Sequence, residues 1–483
     1  MLTTWLIFVP IVGGLLVWIL PWRNAGLVAL AVAFGTLGLW ISAAASFDYN
    51  AAGLQYETTA VWFDDLGVSY KVGLYDFSLW LVGLTVGVGA MTIAYGLWAG
   101  RERARAYFGL MLILMGATIG VFVAQDLLLF YVFFEAMLIP LYVLIGVWGG
   151  TGARAATIKF VIYTMVGSLL MLVAIVALGL SQGTFDLTQM GTSGSLVTFL
   201  GFAIAFGIKA PIWPLHGWLP DAYRTAPPEV SAVLSGVISK TAAYGFLRIT
   251  LPIFPEPVAT MRDTILVLCA IGLVYGSLLA FRQPDFRGVV SYSSLAQMCL
   301  IVFGLFAVND SGVQGALLQM VNHGFISATL FLLAGCIERR TATGQFALLG
   351  GMARGRPVLA TVLIITGVMA LAVPGSGAFA GEFLILNGVF TRGWGWAVVG
   401  AIAIVLAAMY MLRAISAALH QEKGPAVHDR ARDLRPAEIA MLAPLVAVLF
   451  VLSFWPAGVT DHSFGGKPST FVIAENSEAA ESP

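Results

Sequence analysis

Residues 206–217 read "FGIKAPIWPLHG" and close an apolar run that begins near Leu196. Lys209 places a cation inside that run, and Pro211, two residues on, lacks the N–H a helix needs to continue. A lysine and a helix break at the same hydrocarbon depth are both expensive, and together they mark a chain that lines a polar path through a membrane.

The rest of the chain agrees. Of 483 residues, 59% are hydrophobic and 10% charged, against roughly a quarter charged in a soluble domain. Apolar segments of membrane-crossing length recur from end to end. The class is an all-α polytopic membrane protein. A formal net charge of zero without a basic run argues against nucleic acid as a partner. The first apolar segment, Leu2 to Leu20, has no charged leader and no small-residue cleavage site, so it reads as a retained span. Cys269, Cys299 and Cys336 fall inside spans without close spacing and read as small packing residues.

Fourteen transmembrane segments are predicted, near 2–20, 25–45, 76–98, 104–124, 126–148, 157–180, 197–217, 228–250, 260–281, 286–307, 311–337, 357–391, 395–419 and 437–456. The twelfth is too long for one crossing and contains Pro374-Gly375-Ser376-Gly377, so it reads as two half-helices. Sixteen Lys and Arg lie in the loops of one side, among them Arg23, Arg430 and Arg435, against four on the other, including Lys71 and Lys467. That bias puts both termini on the non-cytoplasmic side, which an even number of spans requires. In the external connection 46–75, "GVSYKVGL" alternates as a short strand or hairpin does. The seventh and twelfth spans each pair a breaker with an ionisable residue, five spans apart. This layout suggests inverted five-helix repeats, spans 4–8 and 9–13. The chain divides into 1–98 with three spans, 99–250 and 251–420 with one repeat each, and 421–483 with the last span and a polar tail.

Five ionisable residues sit in apolar surroundings: Glu135, Lys209, Lys240, His323 and Glu382. Burial disfavours a charged amine and a nearby carboxylate favours it, so a Glu135–Lys209 pair would act as a proton switch. Pro211 would free a carbonyl one turn earlier for water. Glu382 follows the Pro374 break and parallels Lys209. A protonated, hydrogen-bonded acid is the plain alternative for Glu135, and a neutral core histidine for His323. Lys159 and His216 lie nearer the cytoplasmic side and read equally as interfacial anchors or as groups of a proton uptake route. "GSGAFAG" at 375–381 lacks a surrounding βαβ unit and is a helix break, not a nucleotide loop. No metal or cofactor constellation is evident on this chain.

Several stretches resemble one family closely: "DLLLFYVFFEAMLIPLYVLIGVWGG", "KFVIYTMVGSLLMLVAI", "GIKAPIWPLHGWLPDAYRTAPPEVSAVLSGVISKTAAYGFLR", "NHGFISATLFLLAG" and "PGSGAFAGEFLIL". They are similar, in order from span 3 to span 13, to subunit M of bacterial respiratory complex I, a relative of cation/proton antiporter subunits. The resemblance implies a proton-translocating membrane-arm subunit of NADH:quinone oxidoreductase, lying between two antiporter-like sisters in the bacterial inner membrane. It also implies that flavin and iron–sulfur centres belong to other subunits. Glu135, Lys209, Lys240, His323 and Glu382 match the family's proton-transfer residues, and the glutamate at 382 favours subunit M over its sisters. Two departures stand out. Gln297, in "SLAQMCL", takes the place of a family histidine, so a relay there must use water or an amide that does not titrate. Residues 75–78 read Tyr-Asp-Phe-Ser where the family has Asp-Gly-Ile-Ser. The competing readings are a subunit of a multisubunit Na+/H+ antiporter and a structural spacer.

Overall fold

The computed structural model describes residues 1–19, 22–51, 53–428 and 431–464. Arg430, Lys467 and the polar tail lie outside the described residues. Among the described residues, twelve helices are long and apolar enough to cross a membrane. Before the first break they are α1 (Leu2–Ile19), α2 (Asn24–Ala45), α3 (Asp76–Ala99), α4 (Ala104–Val123), α5 (Leu127–Trp148) and α6 (Ala153–Gln182). The next two are short, α7 (Leu196–Lys209) and α8 (Leu219–Thr225). Four long helices follow: α9 (Pro228–Ile253), α10 (Pro255–Arg282), α11 (Phe286–Leu305) and α12 (Asp310–Thr341). A second interrupted pair, α13 (Pro357–Ala370) and α14 (Gly377–Phe390), precedes α15 (Trp394–Leu419) and α16 (Pro436–Phe454).

Burial along these helices is uneven, and it sorts them by role. The apolar windows of α9 and α12 are buried throughout, while those of α2 and α6 are only 22% and 33% buried. Among the described residues, more than half of the buried Ser, Gln, His and Lys side chains lie on α9, α11 and α12. The polar groups are thus central and the apolar surface faces outward, as a bilayer solvent requires.

The crossing of α9 and α12 sets the centre. A Cβ on Gly236 would lie 2.9 Å from Gly324 O, and one on Gly324 would lie 2.8 Å from Gly236 O. Only two glycines allow the backbones to meet this closely, the small-residue contact that drives helix association in lipid.

On the connection 46–75 the expected hairpin forms, β1 (Gln55–Phe63) antiparallel to β2 (Val68–Leu74). Lys71 reaches from β2 into the loop after α6, donating to Asp186 Oδ2 at 2.8 Å and Thr188 Oγ1 at 2.7 Å. Burial by itself would raise the Asp186 carboxyl, but the Lys71 and Thr188 hydrogen bonds hold it below the ordinary 3.8. A depressed carboxylate contributes stability above its unfolded value and loses it as pH falls through the folded one. This clamp therefore stays intact at neutral pH and loosens only below about 3.8. Asp186→Asn removes the nearer of the two carboxylates facing Lys71, leaving Glu57 at 3.6 Å, and should destabilise the external loops by about 1.5–3 kcal/mol. The check is thermal unfolding of the solubilised protein at pH 7; an unchanged midpoint would contradict it.

Candidate functional site

Lys240 is completely buried on α9 between two π-helical turns, Leu234–Ile238 and Phe246–Thr250. Such turns shift the carbonyl ladder and recur at functional positions. The Ser239 amide bonds Leu234 O, and Ser235 O accepts from Ser239 Oγ at 2.9 Å and from Lys240 Nζ at 2.6 Å. Lys240 Nζ also lies 2.7 Å from His323 Nδ1, across the Gly236–Gly324 crossing. With the ammonium donating, Nδ1 accepts and the ring proton sits on Nε2, 3.1 Å from Ser294 Oγ on α11. Ser294 and Ser327 both meet the Ser235 hydroxyl, which closes a buried network of one lysine, one histidine and three serines.

A second buried cluster surrounds Glu382 on α14. Gln297 Nε2 donates to Glu382 Oε1 at 2.9 Å, and Gln319 Nε2 reaches both Gln297 Oε1 at 2.8 Å and Glu382 Oε1 at 3.3 Å. Glu382 Oε2 has no hydrogen-bond partner among the described residues. Between the clusters lies a cavity of about 10 Å³, lined by Ser293, Gln297, Gln319, His323 and Ser327 among others. That is room for about one water. Ser293 in turn bonds the Tyr410 hydroxyl at 2.9 Å.

At the first break Lys209 and Glu135 stand apart. Lys209 is the last residue of α7 and is buried, but it forms no ion pair with Glu135 among the described residues. Its Nζ donates to Phe134 O at 3.2 Å and sits 3.5 Å from the centre of the Phe134 ring. Glu135, the next residue on α5, is half-exposed. Consecutive helix residues point about 100° apart, so Phe134 makes the direct contacts while Glu135 acts on Lys209 through its charge at longer range. The carbonyl that Pro211 was expected to free is also taken. Gly207 O accepts from Ile212 N at 2.8 Å, and Ile208 O from the Trp218 indole at 2.9 Å.

The two breaks are not equivalent either. Lys209 ends the half-helix before its break, whereas Glu382 lies in the half-helix after Pro374. Pro374 itself is exposed, and Ser376 caps α14 by accepting from Phe379 N at 3.2 Å. A Cβ on Gly377 would fall 2.6 Å from Asn322 Oδ1, so α14 starts hard against α12. Lys159 pairs with Asp221 at 2.8 Å, both substantially exposed, an arrangement worth little in stability. His216 is half-buried against Tyr275 in the stretch that follows α7. Neither side chain reaches the two central clusters.

Gln319 and Ser327 went unnoticed in the sequence, yet a signal was present. Residues 319, 323 and 327 recur at four-residue spacing and so line one face of α12. Polar residues repeating this way inside an apolar span mark an inward-facing polar stripe.

Residues 124–408 match the family described as NADH:quinone oxidoreductase/Mrp antiporter, TM. The chain is 38% identical to NADH-quinone oxidoreductase subunit M of Rhodobacter capsulatus, over 91% of this chain and 89% of that one. It belongs to the NADH-quinone oxidoreductase subunit M family. A chain of respiratory complex I from Thermus thermophilus is similar in structure, with TM-score 0.89, 29% identity, and coverage of 98% and 99% of the two chains. A chain of the Mrp complex from a Dietzia species shares the fold, with TM-score 0.85 at 22% identity over 98% of this chain and 96% of that one. This subunit M family member is therefore a multi-pass membrane protein.

The Lys240–His323 contact carries a measurable consequence. His323→Leu strips a fully buried ammonium of its nearest side-chain acceptor, at a cost of about 1.5–3 kcal/mol. Its level in the membrane should fall, as read by quantitative immunoblotting. Lys240→Met combined with His323→Leu should restore it, because the apolar pair leaves no stranded charge. A double variant as depleted as the single one would show that the pair is not coupled.

Proposed function

We propose that this chain is the proton-translocating membrane-arm subunit M of an NADH:quinone oxidoreductase, coupling quinone reduction elsewhere in the complex to proton transfer through its own buried residues. The observation that carries the reading is the Lys240–His323–Ser294 chain of contacts, buried end to end and opening on a cavity that reaches the Glu382 cluster. A proton leaving Lys240 Nζ arrives at His323 Nδ1, the Nε2 proton passes to Ser294 Oγ, and Ser294 releases its own hydroxyl proton through Ser235 and Ser327 to the cavity. Glu382 receives at Oε2, because the two amides occupy Oε1. Lys209 and Glu135 form the other half of the path. Their separation in this structure is the unpaired state of the switch, and moving α5 against α7 would pair them.

Topology supports the same reading. Counting α7 with α8 and α13 with α14 as single interrupted spans brings the twelve continuous helices to fourteen. Spans 4–8 and 9–13 then each carry their interruption in the fourth member, as inverted repeats of a transporter do. The same division gives units 1–98, 99–250, 251–420 and 421–483. The sixteen-to-four loop charge asymmetry favours both termini outside the cytoplasm of a bacterial inner membrane. The partners are the other membrane-arm subunits, including the two antiporter-like sisters, and the bilayer. Flavin and iron–sulfur chemistry belongs to the hydrophilic subunits. The glutamate at 382, with its two amide donors, favours this assignment over an Na+/H+ antiporter subunit.

The test uses the reconstituted complex. Lys209→Ala should lower NADH:quinone turnover and proton pumping together, on the order of tenfold or more. Wild-type rates of both in that variant would refute a pumping role. Glu135→Gln should slow turnover while leaving assembly intact, whereas loss of the whole complex from the membrane would point to a spacer.

A further inference from the structure

A cavity of about 320 Å³ opens at one end of the helix bundle, far from the residues of the proposed path. Its walls are Trp98, Arg339, Arg340, Arg432, Arg435 and Glu438. Three membrane-crossing helices terminate here: α3 ends at Ala99, α12 ends at Thr341 and α16 begins at Pro436. The cavity thus lies at the level of the membrane–water boundary.

The charges around it do not cancel. Arg340 grips Glu438 through two bonds of 2.7 Å, and donates also to Arg432 O and Asp433 O at 2.9 Å each. The carboxylate of Glu438 is therefore spent. That of Asp433 is spent too, on the amides of Val358 at 2.8 Å and Leu359 at 2.9 Å that open α13. Arg339, Arg432 and Arg435 are exposed and have no carboxylate partner among the described residues. Arg339 lies 4.3 Å from the Trp98 ring centre and donates to Ala99 O at 3.0 Å, so one of the three guanidiniums is held in place. The buried Arg340–Glu438 pair fixes the backbone that presents Arg432.

We infer that this cleft is a binding site for the phosphate group of an anionic phospholipid. Guanidinium forks match phosphate oxygens in pairs, and basic pockets between helix ends bind anionic headgroups. The indole at the wall is the interfacial side chain that accompanies a lipid glycerol region. A free phosphate ion offers the same oxygens but no acyl chains to place beside the helices.

The experiment uses the intact complex in phosphatidylcholine nanodiscs doped with photoactivatable phosphatidylglycerol, with crosslinks mapped by mass spectrometry. Labelling is expected on the peptides that carry Trp98 and Arg432. It should be displaced by unlabelled phosphatidylglycerol, and not by phosphatidylcholine or inorganic phosphate. In Arg432→Gln/Arg435→Gln the apparent affinity should fall roughly fivefold per guanidinium, about 25-fold for the pair. Arg432→Lys/Arg435→Lys, which keeps the charge, should retain most of it. Unchanged labelling in the glutamine variant, or displacement by inorganic phosphate, overturns the proposal. So does a wild-type complex in which the cleft crosslinks only to a neighbouring subunit. If the glutamine variant fails to assemble, displacement on the wild-type complex decides alone. Proton pumping does not enter any of these outcomes, so they stand apart from the proposed path.

Discussion

The contact between Gly236 and Gly324 is the constraint on which the centre of the molecule depends. Lipid offers no hydrophobic reward for bringing two helices together, so close packing and interhelical hydrogen bonds must do it. With the backbones of α9 and α12 touching, short serine side chains can meet across the seam, and Ser235 reaches both Ser327 and Ser294. A side chain in place of either glycine would push the helices apart by more than a hydroxyl can span. Lys240 would then lose His323, and its ammonium would stand in a buried site with only the acceptors of its own helix.

The interrupted helices solve a related problem, that of backbone groups without partners at membrane depth. At the first break the ladder is not left open. Gly207 O passes from its usual partner to Ile212 N, and Ile208 O to the Trp218 indole. At the second, Ser376 caps α14 and Ser453 on α16 receives the Gly377 amide at 2.9 Å. These bonds satisfy part of each break within the protein, and the ionisable side chain beside it is held by its neighbours. Lys209 rests on a carbonyl and an aromatic face, and Glu382 on two amides.

Composition and apolar run length made the membrane fold legible, because a bilayer imposes both on every crossing helix. The breaks at Pro211 and Pro374 were legible for the same reason, since proline has a local backbone effect that does not wait on tertiary context. How far apart Glu135 and Lys209 stand was not legible. Two charges of opposite sign suggest a partnership, but which face of α5 meets α7 is decided by packing between helices, and Phe134 won that face. The role of Gln319 was equally hidden, because an amide in an apolar helix looks inert until the side chains of two other helices are placed beside it. The hairpin was half visible: alternation marked β2, while β1 is largely exposed on both faces and carries no such pattern.

The same amides set a limit on any proton route through the centre. Gln319 donates to Gln297 Oε1, so the Gln297 amide is oriented with its NH2 toward Glu382. A histidine at 297 could accept a proton on one nitrogen and release one from the other. An oriented amide can do neither at ordinary pH, and acts instead as a fixed donor to one carboxylate oxygen. On the proposed reading, a proton moving between His323 and Glu382 must therefore cross the cavity that separates them. That cavity holds about one water, which allows a single-file transfer and no continuous hydrated channel. Ser327 and His323 line that cavity from α12, and Gln297 and Gln319 stand between it and Glu382. On that reading, Gln297 replaces titration by water occupancy as the mode of transfer at the centre of the path.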